Sequence, residues 1–471
     1  MTDLILSAIL NTDSYKHSHF LQYPPGTTRV SSYVEARKGG EYPAAVVFGL
    51  QAFLRAYLTR PVTLADVEEA ADVARAHGVP FNEAGWRLLV ARHGGRLPLE
   101  IRAVAEGTAL GEGQVMAEVV NTDPEFYWLT SFIETALLRA IWYPTTVATI
   151  SWRIRTLISG YLSRTADASD GPALDFALND FGSRGVSSLE SAALGGMAHL
   201  LSFDGTDNLA GVMAAKRYYD APITAQSVPA AEHSTITSWG EAREVDAYRN
   251  MLTQFAPAFP IIAVVSDSYD LDHAVKALWG KALKAEVDAS GSRLVVRPDS
   301  GDPATVVRAT IEALMQAYGF TTNTKGYRVL PAHVRVIQGD GVEEASIGHI
   351  LETLEQAGIS AENVVFGMGG GLLQKCNRDT LRFAMKCSAV EIYGVWRDVQ
   401  KRPATDLSKS SKAGRLSLVR GDDGALSTVR TDQLDGRTDL LEPVFRDGRI
   451  LRAETFADIQ ARARGSDGKS K

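Results

Sequence analysis

PIIAVVSDSYDLDHAVKALWGKALKAEVDASGSRLVVRPDSGDP (residues 260–303) holds two apolar runs, IIAVV and LVV, either side of a stretch with helical periodicity. Each run is continuously apolar, which is how a strand buried on both faces reads, and each ends in acid, glycine or basic residues. Strand, helix, strand in this order is the unit of a parallel sheet. Working outward, the same punctuation recurs in LDFALNDFGSRG (174–185), HLLSFDGTD (199–207), QSVPAAEHST (226–235), VRVIQGDG (334–341) and NVVFGMGGG (363–371). The runs recur at roughly 25- to 40-residue intervals with helical stretches between most of them, which predicts successive β-α units. In such folds chemistry collects on the loops at the carboxyl ends of the strands. That rim would carry Asp180, Arg184, Asp207, His233, Asp267, Arg297, Asp299, Asp340 and the glycines 369–371. Carboxylates, guanidiniums and backbone donors on one rim suit a polyanionic sugar phosphate.

Bulk properties narrow the class. A chain of 471 residues is long enough for two domains, and its 45% hydrophobic and 22% charged content is that of a globular enzyme. The formal charge of −7 argues against a nucleic-acid binder, which shows a basic excess. Two cysteines, Cys376 and Cys387, indicate no disulfide framework and fit reduced thiols of a cytoplasmic protein. The run Leu4 to Leu10 lacks a basic start, so no signal peptide is expected there. No stretch approaches the ~20 apolar residues of a membrane span.

The expected organisation is an α/β, incomplete (β/α) barrel over residues 151–385, with a second mixed, β-rich α+β domain built from both chain ends, residues 1–150 and 386–471. In the first part TRVSSYVEAR reads as a strand. AVVFGLQAFLRAYL, LADVEEAADVARAHG (closed by Gly78) and FNEAGWRLLVARHGG (capped by Asn82) read as helices. Residues 97–123 alternate apolar and polar around glycines, predicting a half-exposed antiparallel sheet. The apolar stretch 130–162 predicts helices broken at Pro144.

Several local patterns point to a site, each beside a plainer reading. In Val295–Gly301 a strand delivers Arg297 and Asp299 to the same side. Arg297 suits phosphate, and Asp299 suits a ribose diol or a hydrated Mg²⁺; a structural ion pair is the alternative. Gly367–Leu372 would form an anion nest ahead of a helix LLQKCNRDTLRFAMK, or else a tight turn. Leu372 occupies the last glycine of a dinucleotide fingerprint, so no such site is supported. Gly339-Asp340-Gly341 lets backbone approach a ligand closely, or makes a turn. His233, beside Glu232 and with Asp267 on the next unit, could be held cationic, or be a satisfied structural group. Histidine spacing supports no protein-held metal site. Asp207 could accept from a carboxamide, or cap a helix. Phe181 could stack on a flat ring, or pack in the core.

Taken together, the segments identify a family. NTDSYKHSHFLQYPPGTTRVSSYVEAR, NTDPEFYWLTSFIETALL, DFGSRGVSS, GTD, SVPAAEHSTITSWG, VVSDSYD, RPDSGDP, HVRVIQGDGV, FGMGGGLLQK and KAGRLSL occur in one order. In these the chain resembles, nearly end to end, the nicotinamide phosphoribosyltransferase family of type II phosphoribosyltransferases. The resemblance implies reaction of nicotinamide with phosphoribosyl pyrophosphate to give nicotinamide mononucleotide and pyrophosphate. It implies Mg²⁺ carried mainly by the substrate pyrophosphate, ATP as a coupling substrate that phosphorylates His233, and a homodimer with shared sites. Residue by residue, it implies that Phe181 stacks on the base with Tyr15 of a second subunit, and that Asp207 reads the amide. Arg184, His233 and Arg297 would contact pyrophosphate or substrate, with Glu232 and Asp267 beside the histidine. Asp299 and Asp340 would hold the ribose hydroxyls; Gly339, Gly369 and Gly370 would line the phosphate pocket. Arg37, Arg378, Lys386, Lys401 and Lys409 would add cations, several across the dimer. The chain departs from vertebrate members at Asn179, Ser183, Ala263 and Arg402, positions that bear on base affinity and inhibitor fit. The rival readings are a nicotinate phosphoribosyltransferase, disfavoured by the Asp207 carboxylate, and a non-catalytic sugar-phosphate-binding protein on the same scaffold.

Overall fold

A computed structural model of the protein describes residues 7–402 and 410–465. The described chain divides into two units. One holds residues 150–213 and 222–375; the other holds 7–149, 214–221 and the described residues from 376 on.

The first of these is built on six parallel strands: β1 (Leu178–Asp180), β2 (Gly205–Thr206), β3 (Ile261–Val265), β4 (Arg293–Arg297), β5 (Val334–Gln338) and β6 (Val364–Met368). Their order in the sheet is β2-β1-β6-β5-β4-β3, every neighbour parallel. Alternate residues are buried on both faces: Ile262, Val264, Leu294 and Val296 on one, Ala263, Val295 and Ile337 on the other. This explains why the strands read as unbroken apolar runs. The helices Leu189–His199, Glu244–Phe255, Pro303–Tyr318 and Glu344–Gln356 appear where helical periodicity was expected. Pro303–Tyr318 begins on Asp302, whose carboxylate accepts from the Thr305 N–H at 2.9 Å.

The run QSVPAAEHST is not a strand. It makes single bridges to both edges of the sheet, Gln226 to Gly205 and Ala230 to Ala263. The two edges are thus joined by one irregular segment. Pro229 has no N–H to extend a ladder, though its carbonyl accepts from the Ala263 N–H at 2.9 Å. Val228 packs with Ala263, Val295, Ile337 and Phe181. The expected helix after Gly371 also fails: only Gly370–Leu373 is helical. Asn377 accepts from the Asp379 N–H at 2.8 Å, a local turn that competes with helix. From Phe383 the chain is a strand.

The second unit centres on a seven-stranded antiparallel sheet ordered Val395–Asp398, Phe383–Ile392, Thr27–Ala36, Val115–Asn121, Leu99–Ala103, Glu442–Arg446, Arg449–Ile450. Because Phe383–Ile392 pairs along Thr27–Ala36, the chain changes unit after residue 375 rather than after 385. Val115–Asn121 is buried throughout, not half-exposed, whereas its neighbour Leu99–Ala103 keeps the expected alternation. The helices Leu64–His77 and Glu83–His93 end and begin on Gly78 and Asn82. AVVFGLQAFLRAYL splits into a strand, Ala44–Val46, and a helix from Leu50.

Pro144 does not break its helix, which runs from Glu134 to Thr165. The hydroxyls of Thr145 and Thr149 accept the N–H groups of Phe48 and Val46 at 3.1 and 3.0 Å. A Cβ on Gly49 would lie 2.3 Å from Pro144 Cγ. The segment 46–49 thus packs closely against the helix where the proline sits.

Candidate active site

The loop after β1 is fixed by Asp180, which is fully buried. Its carboxylate accepts the Gly182 N–H at 2.7 Å and the Asn208 side-chain amide at 2.9 Å, and its carbonyl accepts the Asp207 N–H at 3.0 Å. Asp180 therefore splices the loops after β1 and β2, and its carboxylate is already engaged. The Phe181 N–H donates to Met368 at 2.9 Å, tying the next residue to the end of β6.

Side chains from four strand ends converge here. The Phe181 ring lies directly on Gly367, where a Cβ would come within 2.0 Å of Cε2. A Cβ on Gly339 would lie 3.4 Å from Asp299 Oδ1, 3.7 Å from Arg297 Cδ and 3.7 Å from Phe181 Cε2. Phe181, Arg297, Asp299 and Gly339 thus share one pocket floor. Backbones meet as closely: a Cβ on Gly182 would lie 2.8 Å from the Gly369 carbonyl, and one on Gly185 would lie 3.1 Å from Gly370 Cα. The turn carrying Arg184 therefore abuts the glycine loop. At Gly369, whose φ is −86°, nothing lies within 4 Å of a would-be Cβ. Its ψ of −129° lies outside the regions open to residues with a Cβ, so the turn itself favours glycine, and the space beside its backbone is open.

His233 opens the short helix His233–Thr237. Its Nε2 lies 3.5 Å from Asp299 Oδ2 and 3.9 Å from Asp267 Oδ1, and Ser268 Oγ lies 3.3 Å from Nδ1. Its side chain is 48% exposed while that of Asp267 is 5% exposed, so a half-open imidazole faces a buried carboxylate. Glu232, expected beside the histidine, instead accepts from the Ser234 hydroxyl at the start of that helix. Two buried atoms of this cluster, Asp267 Oδ1 and Arg297 Nε, have no hydrogen-bond partner among the described residues. Arg297 Nε is 3.7 Å from Asp299 Oδ1, beyond hydrogen-bond range. A buried donor left unpaired is costly, and a bound anion would accept from Arg297 Nε.

Asp207 is exposed at the end of β2, and its carboxylate accepts from the Ser227 hydroxyl of the bridging segment. Asp340 is exposed beyond β5, and its carbonyl accepts the Gln338 side-chain amide at 2.7 Å. Ser227, Ser268 and Gln338 escaped sequence reasoning. Isolated Ser and Gln carry no signal until the chain brings them to a partner.

The other unit carries the expected cations. Lys386 lies on Phe383–Ile392 opposite Tyr33. Burial lowers its pKa, as do Arg37, Lys16 and Lys401, against the opposing pull of Glu134. Lys16, also missed, forms an ion pair with Glu134. Arg37 donates to the Arg382 carbonyl at 3.2 Å, and Arg378 pairs with Asp379 at 3.1 Å. Tyr15 is 57% exposed, edge-on to His19. Lys409 lies outside the described residues.

Among the described residues no group of three or more His, Cys, Asp or Glu side chains is placed to hold a metal ion. A Mg²⁺ carried by a phosphate substrate would need only one or two carboxylates, and Asp299 is the one set beside Arg297 and His233.

Parallel strands whose carboxyl ends bear a guanidinium with a buried, unbonded Nε, carboxylates beside a histidine and open glycine backbone fit an enzyme that handles a sugar phosphate. Residues 176–448 match the family model described as the nicotinate phosphoribosyltransferase (NAPRTase) family, and residues 7–101 match that of the nicotinamide phosphoribosyltransferase N-terminal domain. The chain is 52% identical to a nicotinamide phosphoribosyltransferase of Xanthomonas campestris pv. campestris over 97% of both chains. It is 30% identical to one of Acinetobacter baylyi, over 96% of this chain and 95% of that one. The chain belongs to the nicotinate phosphoribosyltransferase family and groups within it with the nicotinamide phosphoribosyltransferases. Its fold is shared with a nicotinate-nucleotide pyrophosphorylase from Pyrococcus furiosus (TM-score 0.64, 16% identity, 99% of this chain and 98% of that one). It is also shared with human nicotinic acid phosphoribosyltransferase (TM-score 0.57, 20% identity, 97% and 93%).

Proposed function

We infer that the protein transfers the phosphoribosyl group of phosphoribosyl pyrophosphate to nicotinamide, releasing pyrophosphate and forming nicotinamide mononucleotide for NAD salvage. The observation that carries this reading is the convergence of Phe181, Arg297, Asp299 and Gly339 on one floor, beside His233.

The flat base lies on Phe181, and Asp207, oriented by Ser227, accepts from its carboxamide. Asp299 and Asp340 hold the ribose hydroxyls. The 5′-phosphate sits against the backbone of Gly369 and Gly370. The pyridine nitrogen attacks C1 as the C1–O bond to pyrophosphate breaks, through an oxocarbenium-like transition state. Arg297, Arg184 and His233 neutralise the departing charge, and Asp299 stabilises the positive sugar. No protein nucleophile is required; positioning and electrostatics supply the acceleration. A Mg²⁺ held mainly by the substrate pyrophosphate would help neutralise the leaving group, and Asp299 is the carboxylate beside Arg297 that could hold its hydration shell.

ATP acts as a coupling substrate by phosphorylating His233, which its exposure permits and which Asp267 would orient. The protein is a homodimer, with Tyr15, Arg37, Arg378, Lys386, Lys401 and Lys409 serving sites shared between copies. The exposed Tyr15 and the exposed apolar pair Leu209 and Met213 support such an interface. It works in the cytoplasm; no helix among the described residues is long and apolar enough to cross a membrane. Nicotinate is the runner-up substrate, favoured by the match of residues 176–448. It would set its carboxylate against that of Asp207, a repulsion the amide avoids.

The test is pyrophosphate release by purified protein with phosphoribosyl pyrophosphate and Mg²⁺. Release that depends on added nicotinamide supports the reading; release that is absent, or that occurs equally without a base, refutes it.

A further inference from the structure

The loop Gly339-Asp340-Gly341 leaves β5 at the pocket and leads into the helix Glu344–Gln356. Side chains outside the pocket's reacting groups hold two successive peptide planes of this loop. The Gln338 side-chain amide donates to the Asp340 carbonyl at 2.7 Å. The Ser346 hydroxyl donates to the Gly341 carbonyl at 2.8 Å, and is itself fixed by accepting the Glu343 N–H at 2.8 Å. Between these clamps Gly341 takes a φ of +65°, a conformation glycine adopts freely.

Gln338 is only 3% exposed, and its Oε1 has no hydrogen-bond partner among the described residues. Packing alone does not account for it. An apolar side chain of the same length would fill the space without burying an unpaired oxygen. What the amide adds is its bond to Asp340. An exposed carboxylate on a free loop would lose conformational entropy each time it gripped a diol; a clamped one would not.

We propose that Gln338 and Ser346 are positioning residues, which fix the Asp340 loop so that its carboxylate is set for the ribose hydroxyls before phosphoribosyl pyrophosphate arrives. This inference rests on the ribose-binding role given to Asp340 above. Both act through the backbone, on the peptide planes either side of Gly341.

Steady-state kinetics on Gln338→Met, Ser346→Ala, Ser346→Thr, Asp340→Asn and the double variant Gln338→Met/Asp340→Asn, with melting curves for each, provide the test. Gln338→Met is expected to raise KM for phosphoribosyl pyrophosphate about tenfold while KM for nicotinamide stays within about twofold. On the Asp340→Asn background the same change should add less than about twofold, because its target is already gone. Ser346→Ala should raise the same KM and Ser346→Thr, which keeps the hydroxyl, should restore it. Should Gln338→Met fail to fold, the Ser346 pair decides by the same criterion. Equal rises in both KM values, or full additivity with Asp340→Asn, would overturn the proposal. If Asp340→Asn alone leaves KM for phosphoribosyl pyrophosphate unchanged, the ribose assignment falls and takes the proposal with it. If Asp340→Asn raises it but Gln338→Met and Ser346→Ala do not, the positioning proposal alone is wrong.

Discussion

The ring of Phe181 rests on the bare backbone of Gly367, filling the space a side chain there would need: a Cβ would stand 2.0 Å from Cε2 and 2.2 Å from Cδ2. Residue 367 is therefore glycine so that residue 181 can lie flat at the pocket floor.

Gly367→Ala should push the ring off this seat while leaving Arg297 and Asp299 in place. The expected result is a loss on the order of 10- to 100-fold in kcat/KM for nicotinamide, with a much smaller change in KM for phosphoribosyl pyrophosphate. Initial rates with each substrate varied in turn check this. An unchanged nicotinamide term would mean Phe181 does not carry the base.

Asp207 is oriented by Ser227 and faces no cation among the contacts described for it. Asp207→Asn replaces an acceptor of amide protons with a group that also donates. Discrimination for nicotinamide over nicotinate should fall about tenfold or more, from weaker amide use and relief of carboxylate repulsion. The ratio of the two kcat/KM values is the readout, and full discrimination in the variant would remove Asp207 from the base site.

His233 stands 3.5 and 3.9 Å from two carboxylates and is open to solvent on one side. His233→Ala should abolish stimulation by ATP and leave a reduced basal turnover. Rates with and without ATP, together with mass analysis for phosphohistidine in the unmodified protein, check the point. Stimulation that survives the substitution would exclude a phosphohistidine at this position.

Away from the site, Glu106 is buried beneath Tyr219, whose hydroxyl donates to it at 2.7 Å. Burial lifts the Glu106 carboxyl to about 7 from an ordinary 4.5. Between these values the unfolded chain has released this proton and the folded one has kept it. Stability should therefore fall as pH rises from about 4.5 to about 7, by on the order of 3 kcal/mol from this group, and level off above. Glu106→Gln keeps the polar contacts without the charge. Its melting temperature should match the parent near pH 5 and exceed it at pH 8; a constant difference across that range would contradict the assignment.

Much of the barrel was legible because a strand buried on both faces must be continuously apolar, as IIAVV and LVV are. Arg297 and Asp299 were legible for a related reason: two residues apart beyond a strand, they share a side. What the chain hid depends on partners far away in sequence. Pro229 turns a strand-like run into two single bridges. Pro144 sits inside an unbroken helix whose Thr145 and Thr149 bond the distant segment 46–49. The segment after Gly371 has helical composition, yet a turn at Asn377 and pairing with Thr27–Ala36 win. Glu232 looked like a partner for its neighbour His233, but local helix geometry gives it to Ser234.

The central claim is that this pocket delivers a phosphoribosyl group to an amide-bearing base. The most direct measurement offers purified protein equal concentrations of nicotinamide and nicotinate with phosphoribosyl pyrophosphate and Mg²⁺, and quantifies both mononucleotides by mass spectrometry. Nicotinamide mononucleotide should dominate. A product pool dominated by nicotinate mononucleotide, or containing neither, would contradict the account.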